Sequence, residues 1–120
     1  MRKMTNEELL DYCLGKPGAE ATQNTQRGAN QIKVADVMFA MFCECNGRQA
    51  ISLKTSAELA DDLRAKHDCV IPGDKLNKAH WNTIYIDGDL PDSQFYYLID
   101  GSYQLVVASL PESARHGLGA

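Results

Sequence analysis

The sequence has no apolar run long enough to predict a membrane-spanning helix. Its longest apolar stretch, residues 37–43, has the length of a strand, whereas a membrane helix needs roughly 20 residues. Residues 1–8 are basic and then acidic, and no apolar signal core follows them. These absences predict a cytoplasmic protein with no membrane partner.

The sequence also lacks the spacings of common metal and catalytic sites. Cys43 and Cys45 form a CxC, but no CxxC or HxxxH accompanies them, so we expect neither a metal site nor a disulfide framework. There is no glycine-rich phosphate loop and no nucleophile elbow. His80 lies near Lys78 in a polar cluster, but no second acid or oriented nucleophile lies beside it in the sequence. We expect a non-enzymatic protein that needs no metal and no cofactor.

Acidic residues outnumber basic residues, 16 against 12. The net charge is −4 and the pI is about 5.2, and such a balance does not favour nonspecific binding to duplex DNA. The deficit lies in residues 87–120, where Arg115 is the only basic residue against Asp87, Asp89, Asp92, Asp100 and Glu112. A locally basic surface elsewhere would be formed by Lys33, Arg48, Lys54, Lys75 and Lys78.

The first half of the chain predicts a helix followed by a meander of three strands. Thr5 and Glu8 form a capping box that opens the helix, and Pro17-Gly18 follows its end. Residues 31–34, 37–44 and 49–54 predict strands, and residues 19–23 are a candidate edge strand. The connections are a turn at Ala35-Asp36 and a hairpin at Asn46-Gly47, a pair that suits positive φ.

The second half predicts a helix, a strand and a last helix. Thr55 and Glu58 form another capping box, so we expect Thr55 to cap a helix that runs to about His67. A loop over residues 72–80 leads into a strand over residues 81–86. Pro91 suits the first position of the last helix, and Gly101 inside it would allow close approach of the sheet. Residues 113–120 lack periodicity and predict a frayed tail.

These elements predict one α+β domain over residues 1–120. The expected order is one helix, three strands, a helix, one or two strands and a last helix. A chain of 120 residues that is 44% hydrophobic and 23% charged has the size and composition of a single globular domain. We expect a twisted antiparallel sheet with the helices packed on one face.

Residues 75–83 are the most informative stretch of the chain, with two lysines, a histidine, two asparagines and the only tryptophan. Lys75 and Lys78 supply cationic donors, and the side-chain amides and the imidazole of this segment supply donors and acceptors. Trp81, the only tryptophan, would anchor the loop or stack on a base. The candidate nucleic-acid-binding residues are Lys54, Lys75, Asn77, Lys78, His80, Trp81 and Asn82. In the alternative interpretation, Trp81 belongs to the core and the polar groups close the loop backbone.

The run LNKAHWNT at residues 76–83, followed by IYIDG at residues 84–88, resembles the signature of the MmcQ/YjbR family of small bacterial proteins. Residues 12–20, 31–34, 51–54, 90–92 and 99–103 resemble further parts of that family, so the resemblance covers nearly the whole chain. It implies a fold likened to CyaY-like and secretion-chaperone-like folds, with a winged surface. It also implies a DNA-binding protein without enzymatic activity.

Two hypotheses about function follow. In the first, the protein binds DNA or another nucleic acid, and Lys54, Lys75 and Lys78 contact phosphates from one exposed face, away from Asp89, Asp92 and Asp100. In the second, it is a protein-interaction module or chaperone-like adaptor that binds a partner through a sheet edge or a helix face. The expected state is a monomer or a weak homodimer.

Overall fold

The computed structural model describes residues 5–24, 29–73 and 77–116. Within these ranges the chain forms four helices and six strands. In chain order they are α1 (Asn6–Leu14), β1 (Ala19–Asn24), β2 (Ala29–Val34), β3 (Val37–Cys45), β4 (Arg48–Lys54), α2 (Ala57–Lys66), β5 (Val70–Pro72), β6 (Trp81–Tyr85), α3 (Asp92–Ser109) and α4 (Glu112–His116). None of the described helices is long and apolar enough to cross a membrane.

The strands form one antiparallel sheet in the order β1-β2-β3-β4-β6-β5. The helices pack on this sheet, with α1 and α3 against the β1–β4 part and α2 against β5 and β6. The predicted α+β architecture is therefore confirmed. The candidate edge strand exists as β1, so four strands rather than three precede α2.

The turns of the meander follow from the residues that occupy them. Ala35 and Asp36 have φ of 50° and 66°, and Asn46 and Gly47 have φ of 53° and 75°. Two successive positive φ values are the geometry of the tight turns that match the twist of paired strands. The hairpin predicted at Asn46-Gly47 is confirmed, with Cys45 paired to Arg48 across it.

A β-bulge in β3 was not visible in the sequence. Ile32 pairs with Ala40, whereas the next residue, Lys33, pairs with Met38. Phe39 is therefore an extra residue, and both Phe39 and Ala40 are fully buried, although strict alternation would point them to opposite faces. The bulge brings the Phe39 ring onto Tyr103 of α3, with the ring centroids 5.2 Å apart.

The helix starts contain one confirmed cap and two corrections. Thr5 caps α1, since its side chain accepts from the N–H of Glu8. The prediction for α2 was wrong by one residue: Ser56 is the cap and accepts from the N–H of Leu59 at 3.2 Å. Thr55 is buried instead, and its N–H donates to the carbonyl of His80 at 2.7 Å. Pro91 is the cap residue of α3 rather than its first helical residue.

The structure also differs from the sequence predictions within and after α3. Ser102 of α3 binds the sheet by accepting from the N–H of Lys54 at 3.0 Å and donating to the carbonyl of Phe39 at 2.5 Å. The neighbouring Gly101 does not approach the sheet, because a Cβ added there would meet nothing within 4 Å. Beyond α3, α4 occupies the start of the segment that was expected to lack regular structure.

The edge next to α2 also departs from expectation. The three residues of β5 extend the sheet beyond β6, where the sequence pattern predicts no definite strand. The strand expected over residues 81–86 ends at Tyr85.

Candidate functional site

The polar loop before β6 is closed by its own backbone and by Asn77. The carbonyl of Asn77 accepts from the N–H groups of His80 at 3.1 Å and Trp81 at 2.9 Å. Its side-chain oxygen accepts from the N–H of Ala79 at 3.0 Å, a local bond typical of asparagine in turns. Asn77 is exposed, but one of its two polar groups already holds the turn.

Arg64 of α2 connects the helix to this loop. Its Nε donates to Oδ1 of Asn82 at 2.6 Å, and its Nη2 donates to the carbonyls of Trp81, at 3.2 Å, and Lys78. A carboxylate oxygen of Asp61 lies 3.6 Å from Nη1. One guanidinium thus fixes the loop, using the planar array of donors that distinguishes arginine from lysine. Sequence reasoning missed Arg64 as an organising residue.

Asn82 and Trp81 are internal. Asn82 is 1% exposed, and its Nδ2 donates to the carbonyl of Ala60 at 3.1 Å while Oδ1 accepts from Arg64. Trp81 is 9% exposed, and its carbonyl also accepts from the N–H of Gly73 at 2.8 Å. A nucleic acid could not reach either side chain without opening the fold. Their place in the structure fits the alternative interpretation, in which Trp81 is core.

His80 joins the loop to the start of α2. Its Nδ1 lies 3.3 Å from the carbonyl oxygen of Thr55, so the hydrogen bond forms when Nδ1 carries a proton. The carbonyl of His80 accepts from the N–H of Thr55. These two contacts give His80 a structural role, and its side chain remains partly exposed.

Of the four expected basic residues that the structure describes, Lys54 and Arg48 lie near carboxylates. Lys75 lies outside the described residues. Lys78 is exposed on the loop, whereas Lys54 is partly buried and lines a groove together with Asp100. The expectation that Lys54 lies away from Asp100 is therefore wrong, because β4 ends beside the middle of α3.

Arg48 is also paired. Its Nη2 lies 2.6 Å and its Nε 3.0 Å from Oδ1 of Asp87, and the guanidinium lies 3.9 Å from the centre of the Tyr85 ring. The hydrogen bond to Asp87 and its negative charge raise the pKa of Arg48. The positive charge of Arg48 is thus compensated locally rather than presented to a phosphate.

The α2–α3 groove is the surface that sequence reasoning missed. It has a volume of about 310 Å³ and lies between the start of α2 and the outer side of α3. Leu98 and Leu59 line it with Tyr97 and Leu105, whose side chains are 62% and 41% exposed. Gly101 also lines the groove, and its missing side chain leaves the space above the helix open.

The exposed side of α3 is almost free of charge. After Asp92 at its start, the exposed positions are Ser93, Gln94, Tyr97, Gly101, Gln104, Leu105, Ala108 and Ser109. Asp100 is one of the acidic residues of this helix, but its carboxylate is bound by two side chains of the α1 region. Tyr12 donates to its Oδ1 at 2.7 Å, and Lys16 forms an ion pair with the same oxygen. Burial opposes ionisation, yet these hydrogen bonds and the Lys16 charge lower the pKa of Asp100.

Cys13 and Cys69, two of the three thiols that the structure describes, are poor nucleophiles. Burial raises the pKa of Cys13 to about 12, and burial together with a hydrogen bond to Asp89 raises the pKa of Cys69. Thiolates are the reactive form of cysteine. Within residues 5–24, 29–73 and 77–116, no three His, Cys, Asp or Glu side chains are grouped to hold a metal ion.

Comparisons with known proteins agree on the family and fold. The YjbR family model matches residues 14–105. The uncharacterised protein YjbR of Escherichia coli K12 is 58% identical over 112 residues, covering 93% of this chain and 95% of its own. A crystal structure of Deinococcus radiodurans protein DR2400, with a domain described as DUF419, superposes with a TM-score of 0.86 at 30% identity, covering 96% of this chain and 88% of its own. A Pseudomonas syringae crystal structure gives a TM-score of 0.74 at 25% identity, covering 85% of this chain and 98% of its own.

Proposed function

The chain belongs to the YjbR family, and from that premise and the geometry of the α2–α3 groove we propose that it is a non-enzymatic module that binds a protein partner. The binding surface is the groove together with the uncharged side of α3. The observation that carries this proposal is the presence of exposed Tyr97 and Leu105 on either side of Gly101, in a groove whose lining also includes Leu59 and Leu98.

The composition of this surface matches the centre of protein–protein interfaces. Interface centres are depleted in charged residues and enriched in aromatic side chains. The outer side of α3 has this composition although the protein as a whole is 23% charged. Burying Tyr97 and Leu105 in a partner would remove apolar area from water, at roughly 25 cal/mol per Å².

The proposal is tested by quantitative capture from an extract of bacteria that express this chain, with four immobilised proteins. These are the wild type, Tyr97→Lys, Leu105→Lys and the control Val37→Lys, which changes an apolar residue on β3 that is 40% exposed. We expect a protein that the wild type and the control retain and that both groove variants lose. Direct titration of that purified protein should reproduce the order. Identical recovery by all four proteins would reject the groove as the binding surface.

Nucleic-acid binding is the second candidate function, and one observation favours it. Lys78 and Asn77 are exposed on a loop that Arg64 holds in a fixed shape, so a lysine and an amide are presented to solvent in a defined arrangement. The position of Lys54 in a groove that Asp100 also lines, the pairing of Arg48 with Asp87 and the net charge of −4 all weaken it.

A further inference from the structure

The outer side of α3 is self-complementary about Gly101. Tyr97 lies four residues before Gly101 and Leu105 four residues after it, so one helix face presents both. Consider two α3 helices that cross antiparallel at Gly101. A residue a given number of positions before Gly101 in one helix then faces the residue the same number of positions after Gly101 in the other. Tyr97 then faces Leu105, Gln94 faces Ala108 and Ser93 faces Ser109. None of these facing pairs contains a charged residue, and the Tyr97–Leu105 pair brings two large apolar side chains together.

We propose that the partner bound by the α2–α3 groove is a second copy of this chain, held through an antiparallel α3–α3 crossing at Gly101. The proposal rests on the proposed function and names its partner. A two-fold interface uses the same patch on both copies, so that patch must complement itself. The pattern around Gly101 meets this requirement.

Charge favours a second copy over a charged partner. Two identical surfaces repel when each carries unpaired charge of one sign. The exposed positions between Asp92 and the end of α3 carry no charge, and Asp100 is paired with Lys16 on its own chain. Asp100 lines the groove beside Gly101 with its side chain 46% exposed, but Lys16 of the same copy compensates its charge.

Gly101 gives the crossing its geometry. Glycine in a helix interior costs stability relative to alanine, and within one chain nothing occupies the space beside it. A second helix can approach closely there because no side chain intervenes. Tyr97 of the second copy would lie opposite Leu105, which lines the groove with Leu59. The groove then receives the ring of the other copy.

The size of the contact predicts a weak dimer. Helix α3 has 18 residues, which corresponds to a length of about 27 Å. A contact confined to one crossing of two such helices is short compared with stable interfaces, which bury about 1,200 to 2,000 Å². We expect a dissociation constant in the micromolar range, on the order of 10 to 100 μM.

The first experiment is sedimentation of the intact protein over concentrations that bracket this range. Tyr97→Glu and Leu105→Lys should each weaken self-association by tenfold or more, and Val37→Lys should leave it unchanged. Gly101→Gln should also lose the dimer without lowering the melting temperature, because its side chain enters open space within one chain. A dimer that tolerates these changes would overturn the proposal.

A mixture of variants tests the antiparallel arrangement. When Tyr97→Glu and Leu105→Lys are combined, the introduced carboxylate of one copy faces the introduced ammonium group of the other. The mixture should therefore form a heterodimer although neither variant dimerises alone. A parallel crossing would give no such rescue. If the wild type stays monomeric at every concentration, the second copy is rejected. The proposed function then stands or falls separately, by whether the extract protein still depends on Tyr97 and Leu105.

Discussion

Arg64 and Asn82 form the contact that fixes the candidate loop: the Nε of Arg64 donates to Oδ1 of Asn82 at 2.6 Å. The bond joins α2 to β6, and the same guanidinium also holds the carbonyls of Lys78 and Trp81. Arg64 of α2 therefore holds the loop in addition to the loop's own hydrogen bonds to Asn77. A ligand that bound Lys78 would meet a loop already ordered by this contact.

Arg64→Ala should lower the free energy of unfolding by roughly 1–3 kcal/mol, since it leaves Oδ1 of the buried Asn82 without its donor. Chemical denaturation measures this change, and hydrogen exchange at the amides of residues 77–81 should become faster. Lys66→Ala is the matched control, because Lys66 is exposed on the same helix and pairs with Asp62. It should cost no more than about 0.5 kcal/mol. Equal effects of the two substitutions would contradict the role given to Arg64.

Trp81→Ala should lower the free energy of unfolding by roughly 3–5 kcal/mol, because removing a large buried ring leaves a cavity. The ring is 9% exposed at the start of β6. Thermal or urea unfolding, followed by circular dichroism because the variant has lost its only tryptophan, provides the measurement. An equally stable variant would show that the ring is free in solution to stack on a ligand.

Ser52 and Thr83 face each other across β4 and β6, with their hydroxyl oxygens 2.8 Å apart and both residues buried. Ser52→Ala alone should cost roughly 1–3 kcal/mol because it leaves the Thr83 hydroxyl without this partner. Adding Thr83→Val should recover much of the loss, since both polar groups are then gone. A double-mutant cycle of unfolding free energies reports the coupling. Simple additivity would show that the two hydroxyls do not depend on each other.

The contact between α1 and α3 should make stability depend on acid pH. The pKa of Asp100 is lowered in the folded state, so its contribution is present above the unfolded pKa near 4 and is lost as the pH falls through the folded pKa. Asp100→Asn should therefore be less stable than the wild type at neutral pH, and the difference should shrink below about pH 4. Urea midpoints across this range measure it. A difference that is constant with pH would show that the Asp100 charge contributes nothing.

Nucleic-acid binding through the loop would have a definite salt dependence. If Lys78 contacts a phosphate of duplex DNA, Lys78→Ala should reduce the slope of log K against log salt by about 0.9. It should also weaken all duplex sequences alike, because phosphate contacts carry no base information. Asn77→Ala should leave the slope unchanged, since a neutral amide displaces no counterion. Titration of labelled duplex at two salt concentrations tests this, and absence of binding at low salt would remove this candidate.

Short-range sequence patterns predicted the meander well, whereas features that depend on contacts distant in the sequence were not predicted. Asn46 and Gly47 favour positive φ by themselves, so their turn depends on no distant contact. The Thr5 cap requires only the N–H of Glu8 in the first turn of the same helix. Thr55 and Ser56 are adjacent hydroxyl residues, and the capping-box spacing to Glu58 favoured Thr55. The choice depends on His80, whose carbonyl takes the N–H of Thr55. Strand β5 has three residues and ends at a proline, so no periodicity could reveal it.

The candidate site likewise has features that the local sequence predicts and features that depend on distant contacts. The polar cluster before β6 was identified from its composition, but the inward position of Asn82 depends on Arg64 and Ala60, which lie far away in the sequence. The α2–α3 groove did have a local signal. Tyr97, Gly101 and Leu105 recur every four residues, and a glycine between two large apolar residues on one helix face indicates an open surface as readily as a tight contact.

The position of β6 between β4 and β5 has a consequence for the rate of folding. Strands β1 to β4 pair with neighbours joined by short connections, so their contacts form after small loop closures. Pairing Lys54 with Trp81 instead closes a loop that contains α2, β5 and the polar segment. Distant pairings of this kind slow folding because loop entropy is lost before the contact stabilises the chain. The β4–β6 ladder is therefore expected to form late, and changes to Trp81 or Arg64 should speed unfolding more than they slow folding.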